Sequence, residues 1–146
     1  MLSKKTKYAI NALVFIAKHP ENQPISVSKI SEEQHIPLKF LESILTELKN
    51  ARILNSKKGK LGGYSLNGTP EQIHLAKIIR LFDGAIALLP CATYDFYERC
   101  EECVDEATCG IRQVAIEIRN ETVARLKEAT LANVIAREAR LTKGEV

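Results

Sequence analysis

Four cysteines lie close together in one short segment of the chain. All 4 Cys of the 146-residue sequence fall between Cys91 and Cys109, in the pattern C-x8-C-x2-C-x5-C that also includes Cys100 and Cys103. Thiols gathered this closely in an otherwise cysteine-free chain indicate a shared role. That role is either the binding of a metal or an iron–sulfur cluster, or reversible thiol chemistry.

The spacing separates these chemistries only in part. Cys100 and Cys103 have the spacing of a zinc knuckle, but Cys91 and Cys109 do not form a second paired knuckle, which argues against a tetrahedral zinc site. Iron–sulfur clusters tolerate irregular spacing on a loop. For thiol chemistry without metal, Cys100 and Cys103 are the closest pair, although acidic neighbours raise thiol pKa values and so disfavour oxidation. These neighbours are Glu101, Glu102, Asp105 and Glu106.

Charge is distributed unevenly along the chain. The net charge is +3, but residues 1–67 hold 11 Lys and Arg against 5 Asp and Glu, whereas residues 68–146 hold 10 against 13. A basic first half favours a polyanionic partner, although chance also produces such an asymmetry. The length of 146 residues predicts one domain, and the low aromatic content of 5% predicts an aliphatic, helix-rich core.

Neither a membrane span nor a signal peptide is predicted. No apolar run approaches the length of a membrane span, and no cleavage site follows the apolar stretch before Lys18. We therefore expect a cytoplasmic protein. In that compartment clustered thiols are ligands or redox sensors more often than structural disulfides.

The elements that precede the cysteines predict a helix-turn-helix. Apolar residues recur at helical spacing over residues 3–18, and Ser26 is a suitable N-cap for a helix over residues 26–34. A break at Pro37 leads into a third helix over residues 38–50. Two short helices joined by a tight turn are typical of a helix-turn-helix.

A basic hairpin follows these helices. Residues 53–56 and 64–66 are predicted strands, and the glycine-containing segment between them is the predicted wing. The predicted fold class is thus mainly α, a winged helix-turn-helix with a short β-hairpin wing and a long C-terminal dimerisation helix.

The start of the third helix is the predicted DNA-reading surface, since the second helix of the motif enters the major groove. Leu41 faces inward, which leaves Lys39, Phe40, Glu42 and Ser43 for base or phosphate contacts. The alternative is that Glu42 is a solvated residue and Phe40 a packing residue. The wing lysines, which are Lys57, Lys58 and Lys60, are predicted phosphate contacts. Lys4 and Lys5 are also assigned to the DNA-binding set.

The C-terminal part predicts an interface between subunits. A helix over residues 110–128 carries one apolar stripe of Ile111, Ala115, Ile118, Thr122 and Leu126, which Ile116 and Val123 widen. A face this wide suits burial against both its own domain and a second copy, so we predict a homodimer. The charged residues 137–146 are expected to fray.

The predicted organisation has three parts. Residues 1–83 form the winged helix-turn-helix, residues 84–109 the cysteine-containing sensor loop, and residues 110–146 the dimerisation helix and tail. We refer to residues 84–109 as the cysteine loop.

Several motifs together resemble one bacterial family of winged-helix regulators. They are residues 3–9 (SKKTKYA), Phe40-Leu41-Glu42, residues 59–64 (GKLGGY), the cysteine loop before a long helix, and residues 130–134 (TLANV). The family includes the iron–sulfur-cluster regulator, the nitric-oxide-sensing repressor and the cysteine-metabolism repressor. The resemblance covers nearly the whole chain and implies a dimer that binds double-stranded operator DNA.

The same resemblance implies a ligand set for a 2Fe–2S or 4Fe–4S cluster. The three family cysteines fall on Cys91, Cys103 and Cys109, and Cys100 is additional. The fourth ligand of the family is not a cysteine, but Arg112 and Lys7 stand at the positions where two of its branches carry that ligand. Cys100 is then the candidate fourth ligand.

The predicted function is a cytoplasmic, dimeric transcriptional regulator, most simply a repressor, controlled by a cluster or by the thiol state of the cysteine loop. No enzyme is predicted, because the three histidines are scattered and no nucleophile–base pair is evident. The alternatives are an iron–sulfur electron-transfer protein that does not bind DNA, and a regulator that senses thiols or a small molecule without a cluster.

Overall fold

The computed structural model describes residues 1–145 and is mainly helical. The helices are α1 (Lys4–Lys18), α2 (Val27–Gln34), α3 (Leu38–Asn50), α4 (Leu75–Asp83), α5 (Gly110–Glu128) and α6 (Leu131–Thr142), and the strands are β1 (Leu54–Lys57) and β2 (Gly63–Leu66). Short 3₁₀ turns lie at Pro20–Asn22, Pro70–Gln72 and Pro90–Ala92. The predicted mainly α fold with one β-hairpin is confirmed.

Side-chain caps fix where the helices of the DNA-binding half begin. The Ser3 hydroxyl accepts a hydrogen bond from Thr6 N at 3.1 Å, and the Ser26 hydroxyl accepts one from Lys29 N at 3.2 Å. α2 ends at His35, whose φ of 52° is left-handed and turns the chain toward α3. The predicted helix-turn-helix therefore spans α2 and α3, with the turn at residues 35–37.

α1 lies at the centre of the core and is buried on more than the one face that its periodicity predicts. Ala12, Val14 and Phe15 are buried together with Leu13 and Ile16. This occurs because α2, α3, α4, α6 and β2 all contact α1. A helix that is apolar nearly all round is stable only when it is enclosed in this way.

The hairpin is tied to the segment that precedes α2. β1 and β2 pair antiparallel with Leu54 opposite Leu66 and Lys57 opposite Gly63. Ile25 exchanges backbone hydrogen bonds with Tyr64, at 2.9 Å and 2.8 Å. A Cβ on Gly63 would lie 2.2 Å from the Ile25 carbonyl oxygen, so glycine is required for this close approach.

The expected fraying of residues 137–146 is wrong for most of that segment. α6 continues to Thr142, and Val146 lies outside the residues that the structure describes. Leu131 is fully buried and its backbone N donates to Ile73 O at 2.8 Å, while an ion pair joins Lys18 to Glu138. The charged side chains face solvent, but the apolar side of α6 packs against α1.

The cysteine loop is irregular apart from the Pro90–Ala92 turn, and α5 begins at Gly110 as predicted. The first part of the loop is anchored on α5. Arg112 Nε donates to Cys91 O at 3.2 Å, and the Tyr94 hydroxyl donates to Asn120 Oδ1 at 2.8 Å.

A helix that crosses a bilayer must be both long and apolar. None of the helices within residues 1–145 meets both requirements.

Leu131→Ala tests whether α6 is an integral part of the core. We expect the free energy of unfolding to fall by about 2–5 kcal/mol, because the truncation leaves a cavity beside α1. Urea denaturation followed by circular dichroism at fixed protein concentration measures this change. Leu141→Ala, at an exposed position of the same helix, is the control and is expected to change the free energy by less than about 0.5 kcal/mol. Equal effects of the two substitutions would show that α6 is not packed as described.

Candidate nucleic-acid interface and cysteine loop

The start of α3 presents a polar surface, as predicted. Lys39, Glu42 and Ser43 are exposed, whereas Leu41 is fully buried and fixes the rotation of the helix. The buried stripe of α3 consists only of apolar residues, so the three polar side chains are available for contacts with DNA.

Phe40 combines packing with exposure. Its ring meets the Tyr8 ring edge-on, with a centroid distance of 5.7 Å, and it remains partly exposed. The contact places Phe40 beside α1 at the edge of the predicted DNA surface. Its assignment as a DNA contact stays a prediction.

Leu38 is a surface residue that the sequence pattern misses. It lies three residues before the buried Leu41, so helical periodicity favours burial, yet it is exposed at the first position of α3. An exposed leucine beside Lys39 can contact a thymine methyl group. The sequence feature that could have indicated its exposure is its position at the start of α3, before the first turn of the buried stripe.

All three wing lysines are exposed, and none forms an ion pair within residues 1–145. Leu61, at the tip of the same hairpin, is strongly exposed. Cations on a protruding hairpin are suited to phosphate contacts, which contribute affinity without sequence preference.

The two lysines at the start of α1 differ from each other. Lys4 is exposed and its Nζ lies 5.8 Å from the Tyr8 ring centroid. Lys5 Nζ lies 2.5 Å from Glu47 Oε1 and 5.4 Å from the Phe82 ring centroid. Lys5 therefore joins α1 to α3 and α4, which is a structural role. Of the two, Lys4 is the better placed for DNA.

The four thiols have different surroundings. Cys91 is buried in the Pro90–Ala92 turn, and the other three are half-buried. The Cys100 thiol donates to Glu102 Oε2 at 3.2 Å, and this hydrogen bond raises the pKa of Cys100. Partial burial raises the pKa of Cys103, and the neighbouring Cys109 thiol adds to the shift. The predicted effect of an acidic neighbour is thus seen at Cys100, whereas at Cys103 the carboxylate of Glu106 contributes less than burial and Cys109. Both shifts favour the protonated thiols at neutral pH.

The four thiols are the kind of ligand that an iron–sulfur cluster requires, but they do not lie together in the described conformation. Within residues 1–145, no three Cys, His, Asp or Glu side chains lie close enough together to hold a metal ion. Cys109 is near enough to Cys103 to raise its pKa, whereas Cys91 is buried on the α5 side of the loop. The described conformation is therefore not a preformed cluster site.

The apolar stripe predicted on α5 is divided between two environments. Ala115 and Val123 are buried, whereas Ile111, Val114 and Ile118 are 74%, 54% and 42% exposed. An exposed apolar row of this kind on a long helix is typical of a protein–protein interface.

The helix-turn-helix, the basic wing and the polar start of α3 define a winged-helix DNA-binding transcriptional regulator. The family model described as Rrf2, iron-dependent transcriptional regulator, matches residues 2–137. The chain belongs to the Rrf2 family.

Three relatives illustrate the match. An HTH-type regulator described as rrf2-like from Rhodobacter capsulatus is 34% identical over 139 residues, which is 93% of each chain. IscR of Aliivibrio salmonicida is 32% identical over 90 residues, or 62% of this chain and 54% of that one. The structure of CymR, the global cysteine regulator of B. subtilis, has a TM-score of 0.76 and 26% identity, over 94% of this chain and 97% of that one.

Replacing the three wing lysines together with Gln tests the DNA interface. We expect affinity to fall for operator and non-specific DNA alike, because phosphate contacts carry no sequence information. The slope of log K against log salt should decrease by about 1 for each lysine–phosphate interaction that the substitutions remove. Fluorescence anisotropy at several salt concentrations measures both quantities.

A triple variant in and just after α6 is the matched control, since it removes the same charge from exposed positions outside the predicted interface. The replaced residues are Arg137, Arg140 and Lys143. If this variant and the wing variant lost affinity equally, general charge rather than the wing would account for binding.

Proposed function

We propose that the protein is a homodimeric repressor whose operator affinity depends on the chemical state of the cysteine loop. The observation that carries the proposal is the anchoring of this loop on α5. Arg112 and Arg119 hold the backbone oxygens of Cys91 and Ala92, so a rearrangement of the loop acts directly on the helix. α5 is also the helix that bears the exposed apolar row.

A homodimer places this connection between the two DNA-binding units. Ile111, Val114 and Ile118 form a row that a second copy of α5 is suited to cover. In a dimer, the crossing of the two α5 helices sets the distance between the two α3 helices. That distance must match the spacing of the operator half-sites. A shift of α5 therefore changes operator affinity without altering the DNA-reading residues.

The cofactor proposed for the loop is a 2Fe–2S or 4Fe–4S cluster. Cys91, Cys103 and Cys109 are its proposed ligands, with Cys100 as the fourth. The family description as iron-dependent and the likeness to IscR support this assignment. Because the described arrangement does not gather three ligands, cluster binding requires the loop to change conformation.

A cluster-free thiol sensor is the second candidate, and one pair of thiols favours it. Cys109 is near enough to Cys103 to raise the pKa of that thiol, so these two are the thiols best placed for a reversible disulfide. The spacing in the sequence predicts Cys100 and Cys103 as the closest pair. In the structure Cys100 donates to Glu102 instead.

We further propose that the protein acts in the cytoplasm, where it represses transcription. The charge of the first half and the exposed wing suit a protein whose partner is chromosomal DNA. The same features and the family assignment favour a regulator over an electron-transfer protein that does not bind DNA.

Anaerobic purification tests the cysteine chemistry. We expect visible charge-transfer absorption, with iron and acid-labile sulfide present, and loss of all three in Cys103→Ser and Cys109→Ser, because thiolates hold the cluster. Glu101→Gln, at an exposed position of the same loop, is the control and should retain iron. An electrophoretic shift assay then compares operator affinity with and without the cluster.

Two outcomes separate the candidates. Iron-free protein whose operator affinity changes on oxidation, with the change abolished by Cys109→Ser, would establish the thiol sensor instead. Equal operator affinity in every cluster and redox state would refute control by the cysteine loop.

The double substitution Ile111→Glu and Ile118→Glu tests the dimer. We expect a monomer by light scattering and at least about a tenfold loss of operator affinity, because two charges on each α5 would be desolvated in the interface. Leu141→Glu, at an exposed apolar position of α6, is the control. A double variant that remained dimeric with unchanged affinity would place the interface elsewhere.

A further inference from the structure

A cavity of about 310 Å³ lies where three parts of the fold meet. Ala51 and Ile53, just after α3, form one wall, and α4 contributes Lys77 and Arg80. The cysteine loop supplies the opposite wall at residues 93–96, and α5 closes the cavity with Arg119. A volume of this size is within the range of small-molecule sites.

Arg119 is a buried cation that has no carboxylate partner within residues 1–145. It is only 8% exposed, and its guanidinium donates to Ala92 O and twice to Asn120 Oδ1, at 3.1 Å and 2.8 Å. Its Cζ also lies 3.7 Å from the centroid of the Tyr94 ring. These three hydrogen bonds engage three of the five guanidinium N–H groups, and none of the acceptors is an anion. Burial of a charge in this way is costly unless a counter-ion is present.

More cations surround the same place. Lys77 and Arg80 line the cavity, and Lys127 lines an adjoining depression of about 550 Å³ that shares Arg80 and Tyr94 with it. The ion pairs within residues 1–145 use other cations, namely Lys5, Lys18 and Arg125. Among the described residues, Asp95 is the one carboxylate in the lining, and it forms no ion pair with these cations.

The same excess of positive charge affects the pKa of a neighbouring histidine, His74. The pKa of His74 is lowered by burial and then by Lys127, Lys77 and Arg80, which disfavour the imidazolium. The cations of the cavity are thus close enough together to act on a common group.

We propose that this cavity binds a small organic anion, namely a carboxylate with an apolar body. Arg80 and Arg119 are the residues suited to hold the carboxylate, since a guanidinium can donate two parallel hydrogen bonds to it. The remaining lining is largely apolar and accommodates the body of the ligand. These residues are Ile53, Leu81, Ile86 and Phe96.

The apolar lining distinguishes an organic carboxylate from an inorganic anion. Phosphate can pair with the cations but makes no apolar contact with Ile53, Leu81 and Phe96. It should therefore bind more weakly than an organic carboxylate. The bound carboxylate would contact the end of the reading helix, the cysteine loop and α5 at once. The site contains none of the four cysteines, although one of its walls belongs to the cysteine loop.

Isothermal titration calorimetry with phenylacetate on the reduced full-length protein tests the site. Phenylacetate should bind, whereas phenylacetamide, which has nearly the same shape without the charge, should bind at least about tenfold more weakly. Arg80→Gln should weaken phenylacetate binding by a similar factor. Arg125→Gln removes the same charge from an exposed position of α5 and should leave affinity unchanged.

Lys77→Gln provides a second variant at an exposed position should Arg80→Gln fail to fold, and it too should weaken binding. Absence of phenylacetate binding, equal binding of phenylacetamide, or unchanged affinity in the folded cavity variants would overturn the proposal. Inorganic phosphate binding as tightly as phenylacetate would overturn the assignment to an organic anion. Because neither DNA nor iron is present in the titration, these outcomes are separate from those that test control by the cysteine loop.

Discussion

Enclosure of α1 is the packing constraint on which the rest of the structure depends. Residues 12–17 of this helix are all buried, so one neighbouring layer cannot remove them from water. Helices α2, α3, α4 and α6 and strand β2 surround it. The same packing fixes α3 relative to the wing and places the last described helix against the first. The proposed DNA-contacting positions of α3 stay exposed because only its inner stripe is used to cover α1.

The cysteine loop is held by a different kind of interaction. Its first part is fastened to α5 by polar contacts of Tyr94, Arg112 and Arg119, whereas the part from Cys100 to Cys109 bonds mainly within itself. A self-contained segment can change its chemistry while the core remains folded. Under the proposed function, the anchored part would pass that change to α5. The division of the loop would then let a sensor and a stable DNA-binding unit share one small chain.

Much of the fold was predictable because helical periodicity, capping and turn preferences act over a few residues. The predicted starts of α2, α3 and α5 agree with the structure to within about one residue, and the hairpin pairs as expected. The exposure of the proposed DNA-contacting residues was predictable, since Lys39, Glu42 and Ser43 do lie outside the buried stripe. The fraying of the tail was the wrong prediction. The many charges near residue 137 obscured an apolar side whose partners in α1 lie more than a hundred residues away in sequence.

The sequence by itself determined the local elements, the basic wing and the restriction of every thiol to one loop. These follow from residue type and short-range spacing. Only the tertiary structure decided that Cys91 is buried and that Arg119 lies beside a cavity with no anionic partner among residues 1–145. Each of these features depends on how segments distant in sequence pack together. Burial and charge pairing are properties of that packing, which no short-range pattern encodes.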